Sequence, residues 1–362
     1  STIRFVDQAE AVGLRFVHRN GMTGKFLEAE IYAPGVALLD YDNDGDLDVY
    51  VVQGALPGVP ADATVSDRLF RNDLAISAAG ARTLRFTDVT SPSRVDERSY
   101  GLAVAAADYD GDGWIDIFST RLDRYVLLHN NHDGTFTDVT VKAGLGGRRT
   151  WGSAATFVDI DRDGRLDLFV GHYFQYDIKS DINCFTPAGA PDYCDPSEYR
   201  AALPRLYRNE GNGVFADHTS ALRGTMHGAA LGVLTSDLNG DGWPDIYVAN
   251  DRQENDLWLN MRDGTFSNGA LAAGVALNAD GHAEGSMGVD AGDVDNDGDE
   301  DLIVANFTSE GHTFYVNRGD GTFDDGGTRS GLRPASLPFT GFGAAWLDAD
   351  NDGALDLLVV NG

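Results

Sequence analysis

The feature that most constrains this chain is a nine-residue acidic pattern, Asp-x-Asp-x-Asp-Gly-x-x-Asp, present six times with a single substitution. The copies start at Asp40, Asp108, Asp159, Asp237, Asp293 and Asp348, separated by 68, 51, 78, 56 and 55 residues. A base period near 55 marks a repeat architecture rather than a string of unrelated domains. The two long intervals hold insertions, near 56–66 and near 179–200.

The flanks repeat as well. Seven and five positions before the first Asp stand Ala33/Gly35, Gly101/Ala103, Gly152/Ala154, Ala230/Gly232, Ser286/Gly288 and Gly341/Gly343. Small residues two apart predict a strand with one face stripped for close approach. After each loop comes a second apolar run, such as Asp116–Ser119 or Asp167–Val170, as expected of a strand sandwiched between neighbours. A third run ends in Asn at Asn72, Asn130, Asn209, Asn260 and Asn317. Turns such as those at Asp133, Asp263 and Asp320 then lead into a fourth. The predicted fold is all-β: a β-propeller of four-stranded antiparallel blades, one domain over residues 1–362, with six loop-bearing blades in a six- or seven-bladed ring. A solenoid would have shorter repeats and capped ends. Phe5–Leu14 resembles the fourth-strand segment Phe136–Leu145 and is expected to pair with the last blade as a closing strand. That blade stops after its second strand, leaving room for a C-terminal domain or a partner segment to complete it.

Within each loop, side chains at positions 1, 3 and 5 converge, Gly at position 6 permits the turn, and position 9 adds a further carboxylate. An all-oxygen set of this size suits calcium rather than a softer metal. The expected ligands are Asp40, Asp42, Asp44 and Asp48; Asp108, Asp110, Asp112 and Asp116; Asp159, Asp161, Asp163 and Asp167; Asp237, Asn239, Asp241 and Asp245; Asp293, Asp295, Asp297 and Asp301; and Asp348, Asp350, Asp352 and Asp356. Up to six calcium ions follow, the fourth site weaker because Asn239 is neutral. An EF-hand is excluded, because position 12 is Val or Ser inside a strand where that motif needs Glu.

With 27 basic and 57 acidic residues the net charge is −30, which excludes nucleic acid as a partner. A merely acidic surface would not gather its carboxylates into six loops. No apolar run is long enough for a membrane helix, and no leader precedes Ser1, as expected of a processed secreted chain. Cys184 and Cys194 flank a turn-rich segment. In an oxidising compartment they are expected to form a disulfide, the alternative being two buried thiols. Zinc would need two further matched ligands.

Gly35–Gly54, Cys184–Tyr199, Leu234–Arg252 and Glu284–Phe307 together resemble the FG-GAP/VCBS repeat superfamily, with integrin-α-like calcium loops. The nearer resemblance is to bacterial cartilage-acidic-protein-like proteins of the ASPIC/UnbV type, and it covers nearly the whole chain. It implies secretion to the extracellular space, cell surface or periplasm, calcium binding and a propeller often counted as seven blades. It implies no settled activity.

If the calcium loops crowd one face, a ligand site belongs on the other, around the channel mouth. Candidates there are Arg121, Trp151, His172, His227, Asp251, His282 and Glu284, with Tyr32, Arg149 and Tyr173 nearby on the same rim. The mixture suits an extracellular protein or glycan, making the chain an interaction module. The rivals are a calcium-stabilised, carbohydrate-acting enzyme and a structural subunit of a surface assembly. Convergence of His172, His227 and His282 on one point would favour the enzyme; dispersal would favour binding. The tripeptide Arg318-Gly319-Asp320 follows from the repeat's own turn, and Asn306 is a glycosylation acceptor only in a glycosylating host. No nucleophile elbow, phosphate loop or dinucleotide fingerprint is present.

Overall fold

The computed structural model describes residues 4–32, 34–54, 65–147 and 151–362. Most of the first insertion, Ala33 and Arg149 therefore lie outside the described residues.

Each repeat folds as one antiparallel sheet in chain order from an inner to an outer strand. The second blade shows the plan: Gly101–Ala107, Asp116–Arg121, Tyr125–Asn130 and Phe136–Asp138. Blades one, three and five repeat it, and blade four adds Leu222–Arg223 parallel to its outer strand. The sixth sheet holds two strands, Gly341–Leu347 and Asp356–Asn361. The second insertion carries a small hairpin, Cys184–Phe185 with Pro191–Asp192, closed by the Cys184–Cys194 disulfide.

The small-residue face of the inner strands has the expected cause. A Cβ on Gly232 would lie 2.1 Å from the Met287 carbonyl oxygen of the next blade, and one on Gly288 would lie 2.7 Å from that of Phe342. Side chains here would push the blades apart. Outside this ring, the second and third strands interlock into shared cores. Tyr50, Leu69, Ile117 and Val126 join blades one and two, and Phe118, Leu127, Leu168 and Val170 join two and three. Val36 and Leu38 on blade one and Leu358 and Val360 on blade six are exposed, so the two ends of the array present uncovered apolar faces. Among the described residues no helix is long and apolar enough to cross a membrane.

The Asn that ends each third strand has a definite task. Its side-chain amide donates to position 8 of its own acidic loop and to position 2 of the preceding blade's loop. Asn130 reaches Ile115 and Tyr41, Asn209 reaches Leu166 and Tyr109, Asn260 reaches Pro244 and Ile160, and Asn317 reaches Glu300 and Leu238, at 2.8–3.3 Å. Asn72 makes the same contact within its own loop, to Leu47. Replacing Asn209 by Ala removes a buried donor from two carbonyls on two blades. The expected cost is about 2–3 kcal/mol, against about zero for an exposed Asn, measured by denaturant unfolding.

The N-terminal expectation needs correction. Phe5–Leu14 does not pair with Asp356–Asn361; it forms a short helix, Ala9–Val12, ending at left-handed Gly13. Gly13 sits against the Phe86 carbonyl of blade one as Gly144 sits against Phe215 and Gly274 against Phe323. The segment thus takes the place of an outer-edge turn of a blade preceding the first. The sequence likeness was real, but the turn it marks packs on the following blade rather than zipping to the last one.

Candidate ion loops and the channel-mouth cavity

All six acidic loops share one hydrogen-bond plan. The position-1 carboxylate accepts from the backbone N–H groups of positions 5 and 6, as Asp40 does from Asp44 and Gly45 and Asp348 from Asp352 and Gly353. Position 5 accepts from position 7. Position 9 is a brace: Asp48 accepts from Tyr41 and Asn72, Asp116 from Tyr109 and Asn130, and Asp167 from Ile160 and Asn209. The position-6 glycines are left-handed, φ 84–97°. Position 4 is left-handed too, a requirement sequence reading missed although Asn or Gly fills it in five loops and only Arg162 departs.

Carboxylates gather tightly. One oxygen from each of Asp40, Asp42 and Asp48, of Asp108, Asp110 and Asp112, and of Asp159, Asp161 and Asp167 lies within 4.8 Å of the others. Oδ1 of Asp42 and of Asp161 is buried without a hydrogen-bond partner. Burial raises Asp48 and Asp167 to about 6, Asp245 to about 7 and Asp116 to about 8. A convergent oxygen set with orphaned acceptors and unfavourable charge fits a hard divalent cation. Blade two differs, because His129 lies 3.4 Å from Asp110 and 3.2 Å from Asp116, and His132 lies 2.6 Å from Asp112. In blade three Arg208 holds Asp161, and in blade four Arg262 holds Asp241.

A cavity of about 970 Å³ is lined by the inner strands. All six blades contribute to it, through Val36, Val104, Ala154, Val233, Val289 and Ala344. Its mouth carries Glu28, Tyr32, Trp151, Tyr173, Tyr193, Asp195, Asp251 and Arg252, on loops that precede inner strands or follow second strands. That is the end predicted for a ligand. The rings stand edge-on: Tyr32 to Tyr173 at 4.8 Å and to Trp151 at 5.4 Å between centroids. Hydroxyls link two carboxyl groups. Tyr32 Oη is 2.7 Å from Glu28 Oε1 and 2.6 Å from Tyr173 Oη, and Tyr173 donates to Asp251 Oδ2 at 2.6 Å. Burial raises Glu28 to about 7 and Asp251 to about 6.

Of the seven ligand-face candidates, Trp151 and Asp251 line this cavity. Arg121 does not: it is fully buried and ion-paired with Asp67 between blades one and two. A guanidinium at the end of a sandwiched strand is driven to the nearest buried carboxylate. His172 is buried too, its Nδ1 on the Leu203 carbonyl and Nε2 on the Tyr125 hydroxyl. His227 binds Asp256, which raises its pKa, and His282 is exposed in a turn with Asn278. The histidines have different partners and do not form the shared centre that would favour an enzyme. Glu284 is a buried brace for Asn278, Asn306, Thr313 and Arg333. Glu28, Tyr193 and Asp195 were missed because they sit in an unrepeated segment before blade one and around the disulfide hairpin, and Arg252 because nothing in the repeat marks the residue after Asp251. Arg318 pairs with Asp324, and Asp320 caps its own turn at Thr322, as the turn reading expects.

Antiparallel blades arranged around a channel, with one acidic loop each, define a repeat protein of the β-propeller class. The chain belongs to the FG-GAP-like repeat family, which matches residues 108–170, 189–248, 237–304 and 293–359. Cartilage acidic protein 1 of Mus musculus is 26% identical over 295 residues, 78% of this chain and 41% of that protein. The Homo sapiens protein of the same name is 26% identical over 317 residues, 85% of this chain and 42% of that protein. The chain thus spans about two fifths of these relatives. Among solved structures, an Agrocybe aegerita lectin described as recognising non-reducing terminal N-acetylglucosamine aligns at TM-score 0.41 and 19% identity, over 81% of this chain and 65% of its own. The V. cholerae biofilm matrix protein Bap1 aligns at TM-score 0.39 and 17% identity, over 81% and 38%. At these scores the likeness bears on no functional detail.

Proposed function

We propose that the chain is an extracellular, calcium-loaded propeller domain that binds a glycan or protein at its channel mouth. The observation that carries the binding reading is the aromatic and acidic cavity mouth, opposite the acidic loops and built from several blades. Calcium at the six loops would be structural: each loop ties its own hairpin, and those of blades two to five are fastened to the preceding blade through the third-strand Asn. Up to six ions would move the net charge from −30 to about −18. The disulfide suits an oxidising compartment, where millimolar calcium fills even weak sites. The test is affinity capture from secreted and surface fractions, with calcium and with chelator. Retention of a discrete glycan or protein in calcium alone supports the reading, and empty resin in both conditions overturns it.

The disulfide presents Tyr193 and Asp195 at the cavity mouth. Replacing Cys184 and Cys194 by Ser should cost about 2–3 kcal/mol and weaken ligand capture while leaving the blade cores intact, read by near-ultraviolet circular dichroism and binding together.

A further inference from the structure

This inference rests on the channel mouth being a binding site, and it specifies what the site takes. We propose that the mouth binds an organic ammonium ion, with Asp251 and Asp195 as counter-charges and the tyrosine rings beside them as its wall.

Charge is the first argument. Asp195 and Asp251 line the cavity as anions against one cation, Arg252, with Glu28 beside them as a neutral acid. Asp181 and Glu310 add to the negative field at Glu28 and Asp251. Arg252 is exposed and only loosely engaged, 3.9 Å from Asp195. An anionic ligand would meet net repulsion here.

Proton counting is the second. Three hydrogen bonds join Glu28, Tyr32, Tyr173 and Asp251 in series. Two phenols supply two protons, so the third sits on a carboxyl group. Glu28 has no solvent exposure, whereas Asp251 is partly open, so burial places the proton on Glu28 and the charge on Asp251. The series delivers one negative charge to the ligand side of the wall. Glu28 Oε2 remains buried without a partner beside it, and so does the indole N–H of Trp151. These orphaned polar atoms mark a wall built to face something polar.

The rings are the third. Tyr32, Tyr173 and Tyr193 line the same mouth, and an ammonium ion next to carboxylates and aromatic rings gains from both. Neutral isosteres gain only from the rings.

The ammonium group has two obvious sources, an amino sugar or a lysine side chain, and the test separates them. Calcium-loaded protein is titrated calorimetrically with glucosamine and Nα-acetyl-lysine methylamide, each against its N-acetylated neutral form. The expected result is that at least one amine binds roughly tenfold or more tightly than its neutral form. Asp251→Asn and Asp195→Asn should each weaken it roughly threefold or more, and Arg252→Ala should tighten it. Asp195 is exposed on the hairpin, so that variant tests the idea even if Asp251→Asn disturbs packing. Neutral forms binding as well as amines, with both Asp variants silent, would overturn the ammonium assignment and leave the binding site standing. Amines failing to bind would overturn the assignment as well. If the capture experiment also returns nothing, the binding reading falls with it.

Discussion

Removing calcium is expected to lower the melting temperature by more than about 10 °C at neutral pH. A site filled to about 100 times its dissociation constant contributes about 2.7 kcal/mol, and six such sites contribute several times that. The metal-free fold has a distinctive pH dependence. Burial raises Asp48, Asp167, Asp245 and Asp116 to between about 6 and about 8. In the unfolded chain these groups titrate near 4. The folded state therefore binds more protons across that window, and stability falls as pH rises through it. In chelator the protein should melt higher at pH 5 than at pH 8. With calcium the order should reverse, because protons then compete with the ion for the same oxygens. Melting curves at both pH values, with and without chelator, check this. Identical melts in calcium and chelator would remove the structural role given to the ion.

The second large effect should come from Arg121→Ala. The guanidinium is fully buried, donating to Asp67 Oδ1 at 3.1 Å and to Ser119 at 2.8 Å. Asp67 in turn accepts from the Tyr50 hydroxyl at 2.6 Å and the Gln53 backbone at 2.8 Å. Two charges taken out of water gain little net energy as a pair, but either one alone is expensive. Truncating Arg121 leaves Asp67 buried and uncompensated between blades one and two. The expected loss is about 3–5 kcal/mol in denaturant unfolding. Arg121→Met with Asp67→Leu should recover much of it, although Tyr50 then loses its acceptor. A loss under about 1 kcal/mol would mean that water reaches the pair. Neither variant should change ligand capture beyond its effect on folding, since Arg121 does not line the cavity.

The sequence determined what depends on short spacing. Six acidic nonapeptides announced six loops, and two-residue alternation of small side chains announced inner strands packed tightly against their neighbours. These are local: an Asx turn needs residues two to five positions apart, and a strand face needs a period of two. The terminal Asn of each third strand was visible as a pattern. Its task, fastening a loop on another blade up to 100 residues away, was not. Tertiary structure decided which of the expected rim residues line the cavity. Arg121, His172 and Glu284 look like rim residues in the chain, yet each is buried where a partner from a distant strand satisfies it. Glu28, Tyr32, Tyr173 and Asp251 carry no motif, and they form a continuous hydrogen-bonded wall only because blades three and four and the segment before the first blade converge on the channel mouth. Hydrogen bonding in a low-dielectric interior depends on proximity in space, and for groups separated by 78 to 141 residues sequence spacing carries no trace of it.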